Sequence, residues 1–149
     1  MLIYPVFEGL SKSEIGQVFD SGVIRSINAG TSVFTKGEIG HEMYLILTGK
    51  VHIVDEYESR RGRIAELGPG EIFGEMAIFE KDHVRSAHAL AADPSQLLVL
   101  SERTLNKLMN KKLPKQFLVN IVVVLSHRLR LTTGMFMDAK YHATECARR

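Results

Sequence analysis

Glycine divides residues 23 to 100 of this chain into short segments, and this feature restricts its fold more than any other. Apolar or alternating runs, each of strand length, lie between the glycine-containing turns. The runs span residues 23–27, 32–35, 43–47, 51–57, 63–67, 86–91 and 97–100. Many short strands joined by tight turns predict a mainly β fold with flanking helices. The expected architecture is an antiparallel β-roll (a double-stranded β-helix, or jelly roll).

Helices are predicted on both sides of the roll. Ser11 and Glu14 have the spacing of a capping box, which predicts a short helix that ends at Gly22. A second helix is expected from Ser101, and a longer helix from Pro114 to about Gly134 or beyond. We therefore interpret residues 1–149 as one domain. Its parts are an N-terminal helical segment (1–22), the roll (23–100), C-terminal helices (101–138) and a polar tail expected to fray (139–149).

The long helix carries two apolar edges. The first has heptad-like spacing and consists of Leu118, Val122, Leu125, Leu129, Thr132 and Phe136. The second consists of Phe117, Ile121, Val124, Leu131 and Met135. One edge could pack on the roll and the other on a second subunit, giving a homodimer through residues 115–136. Alternatively, both edges form one wide stripe buried within the monomer.

Composition narrows the class of protein. Of the 149 residues, 45% are hydrophobic, which is enough for one core, and the net charge of +2 argues against a duplex-DNA surface. The single cysteine, Cys146, cannot form an internal disulfide, so a reducing compartment is expected. The longest apolar run, 121–125, is far shorter than the roughly 20 residues of a membrane span. We expect a cytoplasmic protein without a membrane partner.

The segment 73–87 carries the residues with the clearest chemistry. Gly74 allows the backbone to approach a ligand, and a helical turn beginning near Glu75 would offer amide groups to an anion. Arg85 has a planar group suited to two phosphate oxygens, and Ser86 adds a hydroxyl beside it. Glu75 would repel a phosphate, so its presence requires a ligand with hydroxyl donors nearby. A sugar phosphate satisfies both requirements.

The order of motifs resembles the cyclic nucleotide-binding domain family, of the catabolite activator and cAMP-dependent kinase regulatory subunit type. Phe-Gly-Glu-Met-Ala-Ile at 73–78, followed by Arg-Ser-Ala at 85–87, resembles the family's phosphate-binding cassette. The stretch 37–51 resembles the family's strand-turn-strand signature before the cassette, and the stretch 67–72 resembles the segment that leads into it. The resemblance extends from about residue 6 to about residue 135.

This resemblance implies a role for individual residues. Glu75 would accept a hydrogen bond from the ribose 2′-hydroxyl, with the Gly74 amide nearby. Arg85 would bind the cyclic phosphate together with the Ala77 amide and Ser86. Met76 and Ala87 belong to the same cassette.

The remaining implied contacts concern the sugar and the base. Ile53 and Ile64 fall where the family has apolar side chains against the ligand. Thr132 would contact the base in its own subunit, and Thr133 would reach across a dimer. These threonines favour cAMP as the ligand. The Ser86 hydroxyl could instead meet the guanine amino group of cGMP, so cGMP is an alternative ligand.

The sequence also bears on other classes of protein. A cupin-like metal enzyme would need clustered histidines, but His41, His52, His83, His88, His127 and His142 are scattered in the sequence. His83 is expected to be solvated. We therefore predict no catalysis, no metal and no cofactor other than the ligand. The chain could also be the sensory part of a Crp-Fnr-type regulator, although too few residues follow the long helix for direct DNA binding. Loss of ligand binding is the third alternative.

Overall fold

A computed structural model describes residues 4–55, 63–110 and 115–148, without the side chains of residues 63 and 64. After a 3₁₀ turn (Pro5–Phe7), the helices are α1 (Lys12–Ser21), α2 (Met76–Phe79), α3 (Glu102–Asn110) and α4 (Lys115–Ala147). The strands are β1 (Val23–Ile27), β2 (Ser32–Phe34), β3 (Glu42–Thr48), β4 (Val51–Val54), β5 (Arg63–Leu67), β6 (Ile72–Phe73), β7 (His88–Ala91) and β8 (Ser95–Ser101).

Within these residues the strands form two antiparallel sheets of four strands each. One sheet has the order β1-β8-β3-β6 and the other has the order β2-β7-β4-β5. With helices before and after the strands, this arrangement confirms the predicted antiparallel β-roll.

The central strands β3 and β8 are buried on both faces. Met43 and Leu45 pack towards the helices, whereas Tyr44 and Ile46 point between the two sheets. Because successive side chains of a strand point to opposite faces, a strand buried on both sides must be apolar throughout. This explains why residues 43–47 and 97–100 are continuous apolar runs rather than alternating ones.

Strand β6 was not predicted from the sequence. It contains only Ile72 and Phe73, which pair with Leu45 and Tyr44 of β3. Two residues give no periodicity, so the pattern could not reveal this strand. The second half of the predicted strand 51–57 lies largely outside the described residues.

The two shorter flanking helices agree with the sequence. Ser11 Oγ accepts a hydrogen bond from the Glu14 amide at 3.1 Å, and Glu14 Oε1 accepts one from the Ser11 amide at 3.0 Å. Gly22 is the C-terminal cap of α1, as predicted. Leu105 and Leu108 form the buried face of α3.

Helix α4 is longer than expected. The prediction of a frayed tail at 139–149 is wrong for most of that segment, because α4 continues to Ala147. Gly134 does not end the helix, since an internal glycine costs only about 1 kcal/mol relative to alanine. No helix in the described part of the chain combines the length and hydrophobicity needed to cross a membrane.

The two edges of α4 have different environments along its length. Phe117 and Ile121 are buried in the core between α4 and the roll. Further along, Leu129 is 67% exposed and Phe136 is 66% exposed. The alternative in which the whole stripe is buried within the monomer is therefore wrong, and the second half of both edges faces solvent.

Candidate ligand-binding site

A cavity of about 260 Å³ lies between the roll, the segment 73–87 and α4. Its apolar wall comes from the roll, and its polar groups come from the segment 73–87 and α4. The lining residues are Phe34, Ile53, Ala65, Leu67, Phe73, Gly74, Glu75, Met76, Ala77, Arg85, Ser86, Ala87, Arg128 and Thr132. The segment 73–87 thus meets Ile53 of β4 and Thr132 of α4 around one space.

Arg85 is almost fully buried, with 4% of its surface exposed. Its Nη1 donates to the Gly74 carbonyl at 2.8 Å, and its Nη2 donates to the Glu42 carbonyl at 2.9 Å. The guanidinium carbon lies 4.2 Å from the centroid of the Phe34 ring, a distance that gives a cation–π contact. A guanidinium has five N–H groups, so these two bonds hold it in place and leave further donors for an anion.

Two glycines make room for this guanidinium. Gly74 has a φ of +78°, a conformation that favours glycine, and a Cβ there would lie 2.9 Å from Arg85 Nη1. A Cβ at Gly40 would overlap the same guanidinium. The sequence predicted that the backbone at Gly74 comes close to a ligand. In the structure it lies against Arg85 as well as the cavity.

Glu75 lies at the N-terminal cap of α2 and is 5% exposed. Its Oε1 is 3.4 Å from Nη1 of Arg128 on α4. Its Oε2 is buried without a hydrogen-bond partner among the described residues. A buried polar atom without a partner is costly, so this oxygen is suited to accept a hydrogen bond from a ligand in the cavity.

Burial raises the pKa of the Glu75 carboxyl above its ordinary value of 4.5. A hydrogen bond from its own backbone and the charges of Arg128 and Arg85 act in the opposite direction but do not cancel the effect of burial. Desolvation disfavours the charged form of an acid, which is why a buried carboxyl retains its proton to higher pH.

Arg128 was not selected from the sequence. Its Nη2 donates to the Ile72 carbonyl at 2.6 Å, so its side chain connects α4 to β6 and to Glu75. It lies four residues after Val124 and four before Thr132, and residues spaced in this way share one face of a helix. This spacing was the only indication of its position that the sequence contained.

Some of the other predicted residues line the cavity and others do not. The Thr132 hydroxyl donates to the Arg128 carbonyl at 2.9 Å, while its side chain lines the cavity. Thr133 is exposed and is not among the lining residues. Ser86 Oγ lies 3.8 Å from Met76 Sδ. The side chain of Ile64 lies outside the described residues, so its predicted contact stays a prediction.

Known proteins share the segment 73–87 and the roll around it. Residues 24–112 match the family described as "Cyclic nucleotide-binding domain", which is more than half of the chain. The chain belongs to the cyclic nucleotide-binding domain family. The resemblance drawn from the cassette residues is thereby confirmed.

Relatives within the cyclic nucleotide-binding domain family include two curated proteins. The chain is 34% identical over 129 residues to the cyclic AMP receptor protein of Thermus thermophilus, covering 85% of this chain and 57% of the receptor. It is 31% identical over 110 residues to a cAMP-dependent protein kinase regulatory subunit of Mycosarcoma maydis, covering 70% of this chain and 21% of that subunit. The chain therefore spans at most little more than half of either relative.

A solved structure shares the fold. A cyclic nucleotide-binding domain from Methylobacillus flagellatus superposes with a TM-score of 0.80 at 27% identity, covering 89% of this chain and 76% of the other. The cavity described above is thus the candidate nucleotide site of a cyclic nucleotide-binding domain.

Proposed function

We propose that this protein binds cyclic AMP as a regulatory ligand in the cavity between the segment 73–87 and α4, and that it acts as a sensor rather than as an enzyme. One observation carries the proposal. A buried carboxylate oxygen without a partner, Oε2 of Glu75, lines the same cavity as the buried guanidinium of Arg85. A cyclic nucleotide has a hydroxyl donor and a phosphate acceptor on one sugar, and it satisfies both groups.

The charges of the cavity support a monoanionic ligand. Arg85 and Arg128 contribute two positive charges, and an ionised Glu75 contributes one negative charge, which leaves an excess of one positive charge. A cyclic phosphodiester carries a single negative charge and would balance it. Nucleoside triphosphates and cyclic dinucleotides bring more negative charge than the lining can balance, and burying an unpaired charge is costly.

Adenine is the proposed base. Thr132 offers a hydroxyl at the α4 side of the cavity, whose apolar lining includes Ile53. The names of the Thermus and Mycosarcoma relatives both refer to cyclic AMP. Cyclic GMP is the second candidate, because the exposed Ser86 also lines the cavity and could meet a guanine amino group.

Isothermal titration calorimetry with cAMP and cGMP tests this proposal. We expect one site per chain, with a dissociation constant for cAMP of about 1 μM or lower, which corresponds to about −8 kcal/mol. Tighter binding of cGMP would reverse the assignment of the base. An absence of binding to both nucleotides would refute the proposal.

We propose that α4 reports ligand binding, because Arg128 joins it to Glu75 and to the Ile72 carbonyl. A ligand shifts such an element only through a difference in affinity between two conformations. The output would then pass through α4 to a partner or a second subunit. A cytoplasmic location fits this role, and the exposed free thiol of Cys146 fits a reducing compartment.

Arg128→Met should weaken cAMP binding by about tenfold, since a hydrogen bond to a charged group contributes roughly 1.5–3 kcal/mol and Arg128 is partly exposed. Methionine retains the length of the side chain and removes its charge. The same calorimetric titration measures the effect. Arg130→Met is the matched control, because Arg130 is exposed on α4 and does not line the cavity. Equal affinities in the two variants would exclude a role for Arg128.

We also propose a homodimer through residues 115–136 of α4. In the single chain, Val122, Leu129 and Phe136 of the heptad-like edge are exposed. Contiguous exposed apolar surface of this kind typically marks an interaction site. A second copy of α4 would cover this edge and bring Thr133 close to the neighbouring subunit.

Leu129→Glu combined with Phe136→Glu should convert the dimer into a monomer, because the substitutions place charges within the packed edge. Light scattering after size-exclusion chromatography would give the mass, against 16.7 kDa for one chain. Arg130→Glu, which lies about 100° around α4 from the heptad-like edge, should remain dimeric. A wild-type protein that is monomeric at high concentration would contradict the dimer.

A further inference from the structure

Three side chains that can bind metal ions meet on the surface, outside the nucleotide cavity. His41 precedes β3, His83 lies in the loop between α2 and Arg85, and Glu102 begins α3. One potential ligand atom from each lies within 4.8 Å of the other two. The rings of His41 and His83 are 4.4 Å apart, and His41 Nδ1 is 3.1 Å from Glu102 Oε2.

Backbone hydrogen bonds hold these three positions together. The Glu102 amide donates to the His41 carbonyl at 2.8 Å, and the Gly40 amide donates to the His83 carbonyl at 2.9 Å. The three side chains therefore start from a fixed scaffold, although they come from distant parts of the sequence. Preorganisation of this kind reduces the entropy lost when an ion binds.

His83 also contacts a backbone carbonyl beside the cluster. Its Nδ1 is 2.7 Å from the Ala77 carbonyl oxygen. A carbonyl oxygen can only accept, so this contact favours the tautomer with the proton on Nδ1 and leaves Nε2 as the metal ligand. Because Nδ1 is also the nitrogen that lies 4.0 Å from Glu102 Oε2, the ring must turn to present Nε2 to an ion. Histidines that ligate metals commonly donate their other N–H to a carbonyl or carboxylate in this manner. The expectation that His83 is solvated holds only in part, because its side chain is 27% exposed and also contacts the Ala77 carbonyl.

We propose that His41, His83 and Glu102 form a binding site for a divalent transition metal ion, of which Zn²⁺ is the best fit. Two imidazoles and one carboxylate are a known ligand set for Zn²⁺ and leave a position for water. Ca²⁺ and Mg²⁺ prefer oxygen ligands throughout, so the two imidazoles argue against them. The sequence predicted no metal, because these residues are separated along the chain.

Binding requires the ligand side chains to rotate. Zn²⁺ takes nitrogen ligands at about 2.0–2.1 Å, so ligand atoms on one tetrahedral ion lie roughly 3.4 Å apart. His41 has 54% of its side chain exposed, and it can close the remaining distance by rotation about its side-chain bonds. A bound ion would connect the loop that carries Arg85 to the start of α3.

The test is calorimetric titration of the tag-free full chain with ZnCl₂ and no nucleotide. The titration is independent of the proposed cAMP site, so the two proposals can fail separately. The background variant is His142→Ala with Cys146→Ser, since these residues lie one helical turn apart on α4 and could bind Zn²⁺ themselves. His41→Ala is the primary variant because His41 is exposed. His83→Asn is the second, since asparagine tolerates the φ of +54° found at His83.

We expect one Zn²⁺ per chain in the background variant and at least about tenfold weaker binding in each of the two ligand variants. The matched control is His52→Ala, which removes a histidine from another surface His–Glu contact, that of His52 Nε2 with Glu66 Oε2 at 2.9 Å. This control should bind Zn²⁺ as the background does. No binding in the background, or equal loss in all three variants, would overturn the proposal.

Discussion

Arg85→Ala should weaken cAMP binding by at least about 30-fold. Truncating one partner of a buried charged contact costs about 2–5 kcal/mol, and each 1.4 kcal/mol is a factor of ten. Arg85 is 4% exposed and lies in the cavity with donors left after its bonds to Gly74 and Glu42. No other residue of the segment 73–87 offers a positive charge to the cavity lining. Calorimetric titration with cAMP measures the loss.

The same substitution also removes structural bonds, so a second variant separates binding from folding. Gly40→Ala leaves Arg85 intact but places a methyl group against its guanidinium. We expect this variant to weaken cAMP binding as well, because the guanidinium must shift. Arg25→Ala is the control, since Arg25 is an exposed arginine that contacts Glu42 from outside the cavity. Wild-type affinity in a folded Arg85→Ala protein would remove Arg85 from the proposed site.

Glu75→Ala should weaken cAMP binding by at least about tenfold, since it removes a charge-assisted hydrogen bond to a ligand hydroxyl. The affinity for 2′-deoxy-cAMP, which lacks that hydroxyl, should change much less. The preference for the ribose over the deoxyribose ligand would therefore narrow. Titration of both ligands into wild type and variant measures this. An unchanged preference would assign Glu75 a different role.

Glu75→Gln should stabilise the ligand-free protein at neutral pH. Burial raises the pKa of Glu75 in the folded protein above the ordinary value of 4.5, so Glu75 keeps its proton to a higher pH when folded. Between 4.5 and the raised pKa, the folded state binds more protons than the unfolded chain, so this residue lowers stability as pH rises. Above the raised pKa, the loss of folding stability caused by the ionised Glu75 is complete. Glutamine has the same shape and no charge, so this contribution should disappear.

Thermal unfolding at a series of pH values checks this result. The wild-type Tm should fall relative to that of Glu75→Gln as pH increases from about 4.5, and the gap should stay constant at higher pH. Glu71→Gln is a control, because Glu71 lies four residues away and outside the cavity lining. A variant that is less stable than wild type at neutral pH would contradict the cost assigned to the buried carboxylate.

Much of the roll could be predicted because its signals are local. A glycine-containing turn and the short apolar run beside it act over a few residues, and β1 and β5 have the predicted bounds. Strand β6 could not be predicted, since its two residues are extended only by pairing with β3. The end of α4 was also missed, because a polar helix and a polar tail have similar composition.

The site also contains residues that could be predicted from the sequence and one that could not. Gly74, Glu75, Arg85 and Ser86 lie within one stretch of 13 residues, so their residue types indicated a sugar phosphate, and their order with the preceding motifs indicated the family. Arg128 was missed because it meets Glu75 only after α4 packs on the roll through Phe117 and Ile121.

The sequence by itself determined the antiparallel roll, the helices around it and the cassette, since turn chemistry, capping and side-chain periodicity act between neighbours in the chain. Only the tertiary structure decided which charge faces Glu75, how much of α4 is left exposed, and that His41, His83 and Glu102 meet. These features depend on distances between residues far apart in sequence. Such distances are set by how sheets and helices pack, which no local pattern encodes.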